Sequence, residues 1–446
     1  MIKKILRRIK YGTTARIDMF RMHRQWRAIQ ARAYSPRKIT SVRKLLIIPS
    51  DPWTLVGAKG DEAMMEAAVG PLRAREPGLV VGVVVATQVA SDAARGLGFV
   101  PIPAWSGSLV DSIAQIEQFQ PDGMVILGAD IMDGYYGPSG PMRVLMIADT
   151  AARMGVRVSI LGFSFNQHPS PRLKPVFDAL HRDVAVNVRD RISYERYARF
   201  TSTPATLVAD AAFMLAPTPD TAALAGVRDW CARRRAAGDI LLGFNVHPML
   251  IKEVSAEQIK ALADNALQAL RDVAGKHPVS VMLISHDYRV IGGDDPCLAP
   301  IIDGLRAELG DRIAYPTDKF SAAELKAIAG MMDGVVTGRM HLAIATLGMG
   351  KPVVGLTYQD KFQGLFAHFH YPERFLMPPA DVMTPGKLAT LVNDFVASLP
   401  ALKKVVDEHL PQVKAASARN LEGLTGGRRV EPARQGNAGA LVQNPV

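Results

Sequence analysis

Short apolar runs recur along this chain, and most of them are followed by a longer stretch with helical spacing. In the second half the runs fall at residues 240–245, 279–284, 313–315, 334–337 and 353–356. Helix-like segments at 256–274, 297–309, 322–329 and 341–347 separate them. The first half repeats the alternation, with runs at 44–48, 80–86, 123–128, 156–163, 186–191 and 206–213 and helices at 61–75, 108–118 and 141–154. Runs so uniformly apolar suit strands buried on both faces, the condition of a parallel sheet. Alternation of strand and helix then predicts doubly wound sheets. Pro217, Thr218 and Pro219 open a breaker-rich linker at 217–224. Two Rossmann-like domains follow, at 45–216 and 217–400. Helices are expected at 385–398 and 402–421, with Pro411 kinking or splitting the second. Residues 401–425 form a C-terminal helix. The Gly-, Arg-, Asn- and Pro-rich stretch 426–446 reads as a disordered tail.

The densest chemistry lies in residues 333–361, DGVVTGRMHLAIATLGMGKPVVGLTYQDK. Two consecutive strands there end in polar side chains, Arg339 and His341 after the first, Tyr358 and Lys361 after the second. Ligands of open α/β sheets bind outside the carboxyl ends of strands. The helix starting at His341 offers free N–H groups and a partial positive charge to an anion. Arg339 adds a planar fork of donors, and His341 can move a proton near neutral pH. Together they predict a site for a small anionic substrate.

Other strand ends supply further candidates. Asp61 follows Gly57-Ala58-Lys59-Gly60, either a close approach of backbone to ligand or a tight turn with a capping carboxylate. Asp130, Asp133, Tyr135 and Tyr136 follow the third strand; carboxylates and phenols are sugar-binding equipment, although Asp133-Gly134 also reads as a turn. His168 beyond the 156–163 strand is a lesser candidate. Arg189-Asp190-Arg191 reads as an ion-pair cluster or an anion site, and Asp210 can hold an arginine or touch substrate. Asn245-Val246-His247, Ser285-His286-Asp287 and Gly292-Gly293-Asp294-Asp295 close the set. Their spacing matches no standard metal-ligand pattern, so no metal is expected.

The run G-R-x-H at 338–341, the small-residue helix after it, G-x-P-V-x-G at 350–355 and Y-x-x-K at 358–361 together resemble the polysaccharide pyruvyl transferase family. Gly60-Asp61-Glu62-Ala63, Val188-Arg189-Asp190-Arg191-Ile192-Ser193 and Ala209-Asp210-Ala211-Ala212-Phe213 fall in the family's order and rough spacing, so the likeness covers about residues 45–370. Gly128-Ala129-Asp130 departs from it where relatives usually carry a glycine run. The resemblance implies a GT-B-like α/β fold of two domains facing across a cleft. It also implies transfer of a pyruvyl group from phosphoenolpyruvate to a sugar hydroxyl pair, leaving a ketal. On that reading His341 is the proton donor, His286 the other candidate, and Arg339 completes the catalytic set. Arg189 and Lys361 take the anion. Tyr358, Asp61, Asp130, Asp133, Asp210 and Asp294 contact substrate. No cofactor is required beyond phosphoenolpyruvate as co-substrate.

Charge is distributed very unevenly. The formal net charge is +11, yet residues 1–44 hold fourteen Lys or Arg against the single acid Asp18, leaving 39 basic and 41 acidic groups elsewhere. The globular part is nearly neutral, which removes the case for a nucleic-acid partner. In the arm, Ile2, Ile5, Leu6 and Ile9 alternate with Lys3, Lys4, Arg7, Arg8 and Lys10, and Phe20, Trp26 and Ile29 with Arg21, Arg24 and Arg27. Such a basic amphipathic extension lies on an anionic membrane or stays as a solvated arm that docks on a partner. The longest apolar stretch, residues 78–86, is too short to span a bilayer. Two cysteines, Cys231 and Cys297, argue for a reducing compartment. The expected location is cytoplasmic, at the inner face of the plasma membrane, with a saccharide or lipid-linked saccharide as acceptor and room for self-association. Two readings compete: a glycosyltransferase using a nucleotide sugar, and a non-catalytic assembly factor for polysaccharide synthesis.

Overall fold

The computed structural model describes residues 2–251, 255–289, 292–357 and 360–425, with side chains from Arg16 onward. The expected tail at 426–446 lies outside them.

Thirteen strands form two sheets among the described residues. The first contains β1 (Lys44–Ile48), β2 (Val80–Val84), β3 (Val100–Ile102), β4 (Gly123–Ile126), β5 (Arg157–Phe163), β6 (Val184–Val188) and β7 (Thr206–Leu207). The second contains β8 (Ile240–Asn245), β9 (Val279–Leu283), β10 (Ile313–Ala314), β11 (Gly334–Thr337), β12 (Val353–Leu356) and β13 (Leu376–Met377). Their orders are β3-β2-β1-β4-β5-β6-β7 and β10-β9-β8-β11-β12-β13, and every pairing is parallel. Leu45, Leu46, Ile47 and Ile48 are completely buried, as strands covered on both faces require. Each sheet reverses its winding once, between β1 and β4 and between β8 and β11. Both crevices made by those reversals open toward the same cleft, where ligands of such sheets bind.

Several boundaries differ from the sequence expectation. The run expected as one strand over 206–213 is the two-residue β7 followed by a 3₁₀ turn, Ala211–Met214. Asp210 breaks it by capping that turn, accepting from the Ala212 N–H at 2.9 Å. The β6 strand stops at Val188 because Asp190 caps the Arg191–Phe200 helix, accepting from the Ser193 N–H at 2.7 Å. The edge strands β3 and β13 have three and two residues, too short to stand out in a pattern. Pro101 is tolerated in β3 because an edge leaves one side unpaired.

The expected pair of C-terminal helices is one continuous helix, Lys387–Ala418, containing both Pro400 and Pro411. Leu388, Leu391, Phe395, Leu399, Leu402 and Val406 bury one stripe through the first of these prolines. Packing along that stripe overrides the local cost of proline. The helix and the 3₁₀ turn after it, Arg419–Leu421, cross back to the first sheet: Ser417 donates to the Asp210 carbonyl at 2.6 Å, and Asn420 donates to the Ala209 carbonyl at 2.9 Å.

The N-terminal extension is no free arm beyond its first turns. Ile2–Gln30 is one helix. Met19, Met22, Trp26 and Ile29 on it are buried in the core beneath β1, β4 and β5. Trp26 Nε1 donates to the buried Asp149 carboxylate at 2.9 Å.

Candidate active site

Two helix N-termini, one from each half, meet at the cleft. Lys59–Arg75 follows the loop after β1, and its N-cap residue Ala58 supplies no side-chain cap. Met340–Gly348 follows β11 after a two-residue turn, with Arg339 extended at the N-cap position. Their first turns touch: a Cβ on Gly60 would lie 2.3 Å from His341 Nδ1, so only glycine lets the ring sit there. A short antiparallel bridge between Ala58 and Asp287 ties the same loop to the end of β9. The uncapped N–H groups at both starts add positive potential without any side chain.

The cavity between them has a volume of about 350 Å³, at the small end for ligand clefts. Lys59, Arg189, Arg289, Arg339 and Lys361 line it, and a carboxylate fixes each of them. Lys59 pairs with Glu62 at 2.6 Å and Arg189 with Asp210 at 2.8 Å. Arg289 pairs with Asp287 at 2.6 Å. Arg339 reaches Asp287 at 3.2 Å and Asp294 at 2.5 Å, and also donates to the Gly292 carbonyl at 2.7 Å. Lys361 pairs with Asp130. A carboxylate therefore stands behind every one of these cations. Such pairing lowers the net charge but locks donor positions before a ligand arrives.

The titratable groups are strongly shaped by burial. His341 Nε2 is buried, makes no hydrogen bond among the described residues, and lies 3.9 Å from Asp210 Oδ2. Burial lowers the His341 pKa despite the pull of Asp210, so the imidazole is neutral at pH 7 in the free protein. His286 also lines the cavity and is held well below its ordinary value, by burial and then by His341 and Arg339. Asp61 moves the other way. Burial pushes its carboxyl up to about 7, against the effect of the Ser50 hydroxyl that donates to it at 2.6 Å. Burial pushes Asp130 up, but Lys361, Arg189 and the Tyr136 hydroxyl together outweigh it and hold the carboxyl below the usual carboxylate range. The cavity therefore holds fixed cations, a neutral imidazole and a carboxyl poised near neutrality.

Of the sequence-selected residues, His341, Arg339, His286, Arg189, Lys361, Asp61 and Asp130 line this cavity. Asp133, Asp210 and Asp294 do not, although all three were expected at substrate. Asp133 is a loop anchor, accepting from the N–H groups of Tyr135 and Asn166 at 2.8 Å each; the turn reading holds. Asp210 stands behind Arg189 and His341. Asp294 is completely buried behind Arg339 and also accepts from Asn245 Nδ2 at 2.8 Å and the His286 N–H at 2.7 Å. Tyr358 lies outside the described residues. His168 is exposed away from the cavity, and His247 is buried under Gly338. Nor is Arg189-Asp190-Arg191 a cluster: Arg191 is exposed and pairs with Glu195 at 2.8 Å.

Sequence reasoning missed Ser50, Asp51 and Arg289. Arg289 had a faint signal in its place two residues beyond Asp287; Ser50 and Asp51 end a strand that was recognised. Ala129, in the stretch where glycines were expected, adopts φ +43° at the cavity wall. Glycine takes that conformation without strain. Among the described residues no cluster of His, Cys, Asp and Glu could hold a metal ion.

Comparison with solved structures gives the fold a name. UDP-GlcNAc 2-epimerase from Neisseria meningitidis bound to UDP-GlcNAc superposes with TM-score 0.52 at 11% identity, covering 85% of this chain and 99% of that one. The S. aureus MnaA–UDP co-structure gives 0.53 at 12%, covering 84% and 94%. A glycosyltransferase from Rickettsia africae ESF-5 gives 0.50 at 11%, covering 85% and 97%. Likeness at this identity shows the fold alone, and the fold is GT-B. No curated protein matches the chain in sequence. The family model for polysaccharide pyruvyl transferase, however, matches residues 58–360, from the first helix start through the last strand end of the cavity. The chain belongs to the polysaccharide pyruvyl transferase family, a family of transferases.

Proposed function

We propose that this protein moves the pyruvyl group of phosphoenolpyruvate onto two hydroxyls of a sugar, forming a ketal in cell-surface or exopolysaccharide biosynthesis. The observation that carries the reading is the buried, unpartnered His341 Nε2 at a cavity ringed by five anchored cations. Phosphoenolpyruvate brings a phosphate and a carboxylate, and fixed guanidinium and ammonium groups suit both. The negative charge that the ligand brings beside His341 favours the protonated imidazole, so donor binding itself would load the acid.

The reaction then balances as follows. The imidazolium gives its proton to the vinyl CH₂, which becomes the ketal methyl, and C2 gains cationic character. A sugar oxygen bonds to C2 and returns its proton to the imidazole. The C2–O bond to phosphate breaks, a second sugar oxygen bonds to C2, and its proton leaves with the phosphate. Asp61, titrating near 7, suits either hydroxyl-proton transfer.

Thermal unfolding with phosphoenolpyruvate, and separately with nucleotide sugars, tests the donor. A ligand of the folded state at about 100 times its Kd adds ~2.7 kcal/mol of stability. Arg339→Ala is a poor control, because it leaves Asp294 buried and unpaired at about 3–5 kcal/mol. Arg289→Ala is cleaner, since Arg339 still faces Asp287. The expected result is a rise in Tm with phosphoenolpyruvate that shrinks in Arg289→Ala. A rise only with nucleotide sugars would transfer the case to the glycosyltransferase.

A further inference from the structure

We infer that a second groove beside the donor cavity is the acceptor subsite, built for a saccharide longer than one sugar unit and walled on one side by the N-terminal helix. The inference rests on the pyruvyl-transfer reading and names where its acceptor lies. The groove has a volume of about 770 Å³, larger than the donor cavity, and the two share Ser50 and Tyr136 as lining residues. A chain occupying the groove therefore has one end at the reacting centre.

The groove's walls fit a sugar. Trp53 and Trp105 meet edge to face, with centroids 5.6 Å apart and planes at 79°. Trp53 is 51% exposed and Tyr136 is 56% exposed. Large aromatic faces left in solvent are unusual unless something covers them, and pyranose rings offer the C–H faces that do so. Asp18, Arg21 and Gln25 of the N-terminal helix supply hydroxyl partners of both signs along the opposite wall. The mixture differs from the cation ring of the donor cavity and does not favour a second polyanion.

The groove is also held rigid. Arg143 donates to the carbonyls of Trp105 and Gly107 at 3.2 and 2.6 Å, fixing the Trp105 loop. The Leu109 N–H donates to Gln25 Oε1 at 3.2 Å, tying the helix to the same loop. At the junction, the Tyr136 hydroxyl donates to Asp130 at 3.1 Å, and Ser50 donates to Asp61. The two residues that the groove shares with the donor cavity are thereby hydrogen-bonded to its carboxylates.

A printed array of bacterial oligosaccharides, probed with the full-length protein, tests the assignment. Wild type should retain particular di- or longer saccharides, and Trp53→Ala and Arg21→Ala should each lose roughly tenfold in affinity for them. Both positions are exposed, so both variants should fold and keep the Tm shift with phosphoenolpyruvate. Equal array signals for wild type and both variants, bound or blank, would overturn the subsite. Loss of the phosphoenolpyruvate shift in wild type would instead defeat the donor reading, whatever the array shows.

Discussion

At the scale of single residues, Gly60 is the most economical handle on the chemistry. Gly60→Ala puts a methyl carbon where the His341 ring lies, at a position already inside a helix and free of backbone strain. The ring must swing, and a displacement of about 1 Å can cost ~100-fold in rate. Steady-state assays should show kcat down by that order with Tm little changed, while His341→Ala abolishes turnover and still folds. Near-normal kcat in either variant would remove His341 from the mechanism. Asp61 offers a test by pH. Its folded pKa of about 7 lies above its ordinary 3.8, so the native state holds a proton that the unfolded chain has released. The stability it contributes is complete below about 4 and drains away as pH rises toward 7. The Tm of wild type should therefore fall relative to Asp61→Asn across that window and run parallel to it above. A constant gap would mean that the carboxyl ionises normally. Arg339, His341 and Lys361 were legible in the sequence because strand-end position and side-chain chemistry coincide there. The role of Asp294 was not, and for Asp210 the sequence left open whether it holds an arginine or touches substrate. A carboxylate behind an arginine and one in front of it look identical until the backbone path is known.

At the scale of elements, the N-terminal helix has two working faces. Met19, Met22, Trp26 and Ile29, spaced three and four apart, face the core, whereas Ile17 and Phe20 are 48% and 71% exposed beside the exposed Arg16, Arg24 and Arg27. The spacing was in the sequence, but interleaved arginines hid it and the whole segment read as an arm. Trp26→Ala should cost about 3–5 kcal/mol in denaturant unfolding, the range for large core aromatics. We propose that the outward face rests on anionic lipid. Phe20→Glu should leave stability intact and abolish co-flotation with anionic vesicles. Unchanged flotation would dismiss the membrane contact. Strand existence was easy to read for the same reason the arm was not: uninterrupted Val, Ile and Leu runs have one physical meaning. Edge strands and the continuous Lys387–Ala418 helix were illegible locally, since tertiary packing decides both.

At the scale of the whole molecule, two sheets of the same winding were foreseeable from alternation alone, but how tightly their halves are fastened was not. Besides the Ala58–Asp287 bridge, Glu62 of the first half accepts from the Ala322 N–H of the second at 2.7 Å in a buried setting. On the far side, Lys326 donates to the carbonyls of Ala212 and Phe213 at 3.3 and 3.1 Å. A body latched along both the front and the back of its cleft does not work as a jaw. Small-angle scattering should give one radius of gyration with and without phosphoenolpyruvate, and a clear contraction on binding would show that the front latch opens. On the proposed pyruvyl-transfer reading, water must then leave the donor cavity by displacement rather than by closure, so the fit of substrate, not the motion of a domain, would keep the cationic C2 centre from being quenched by solvent.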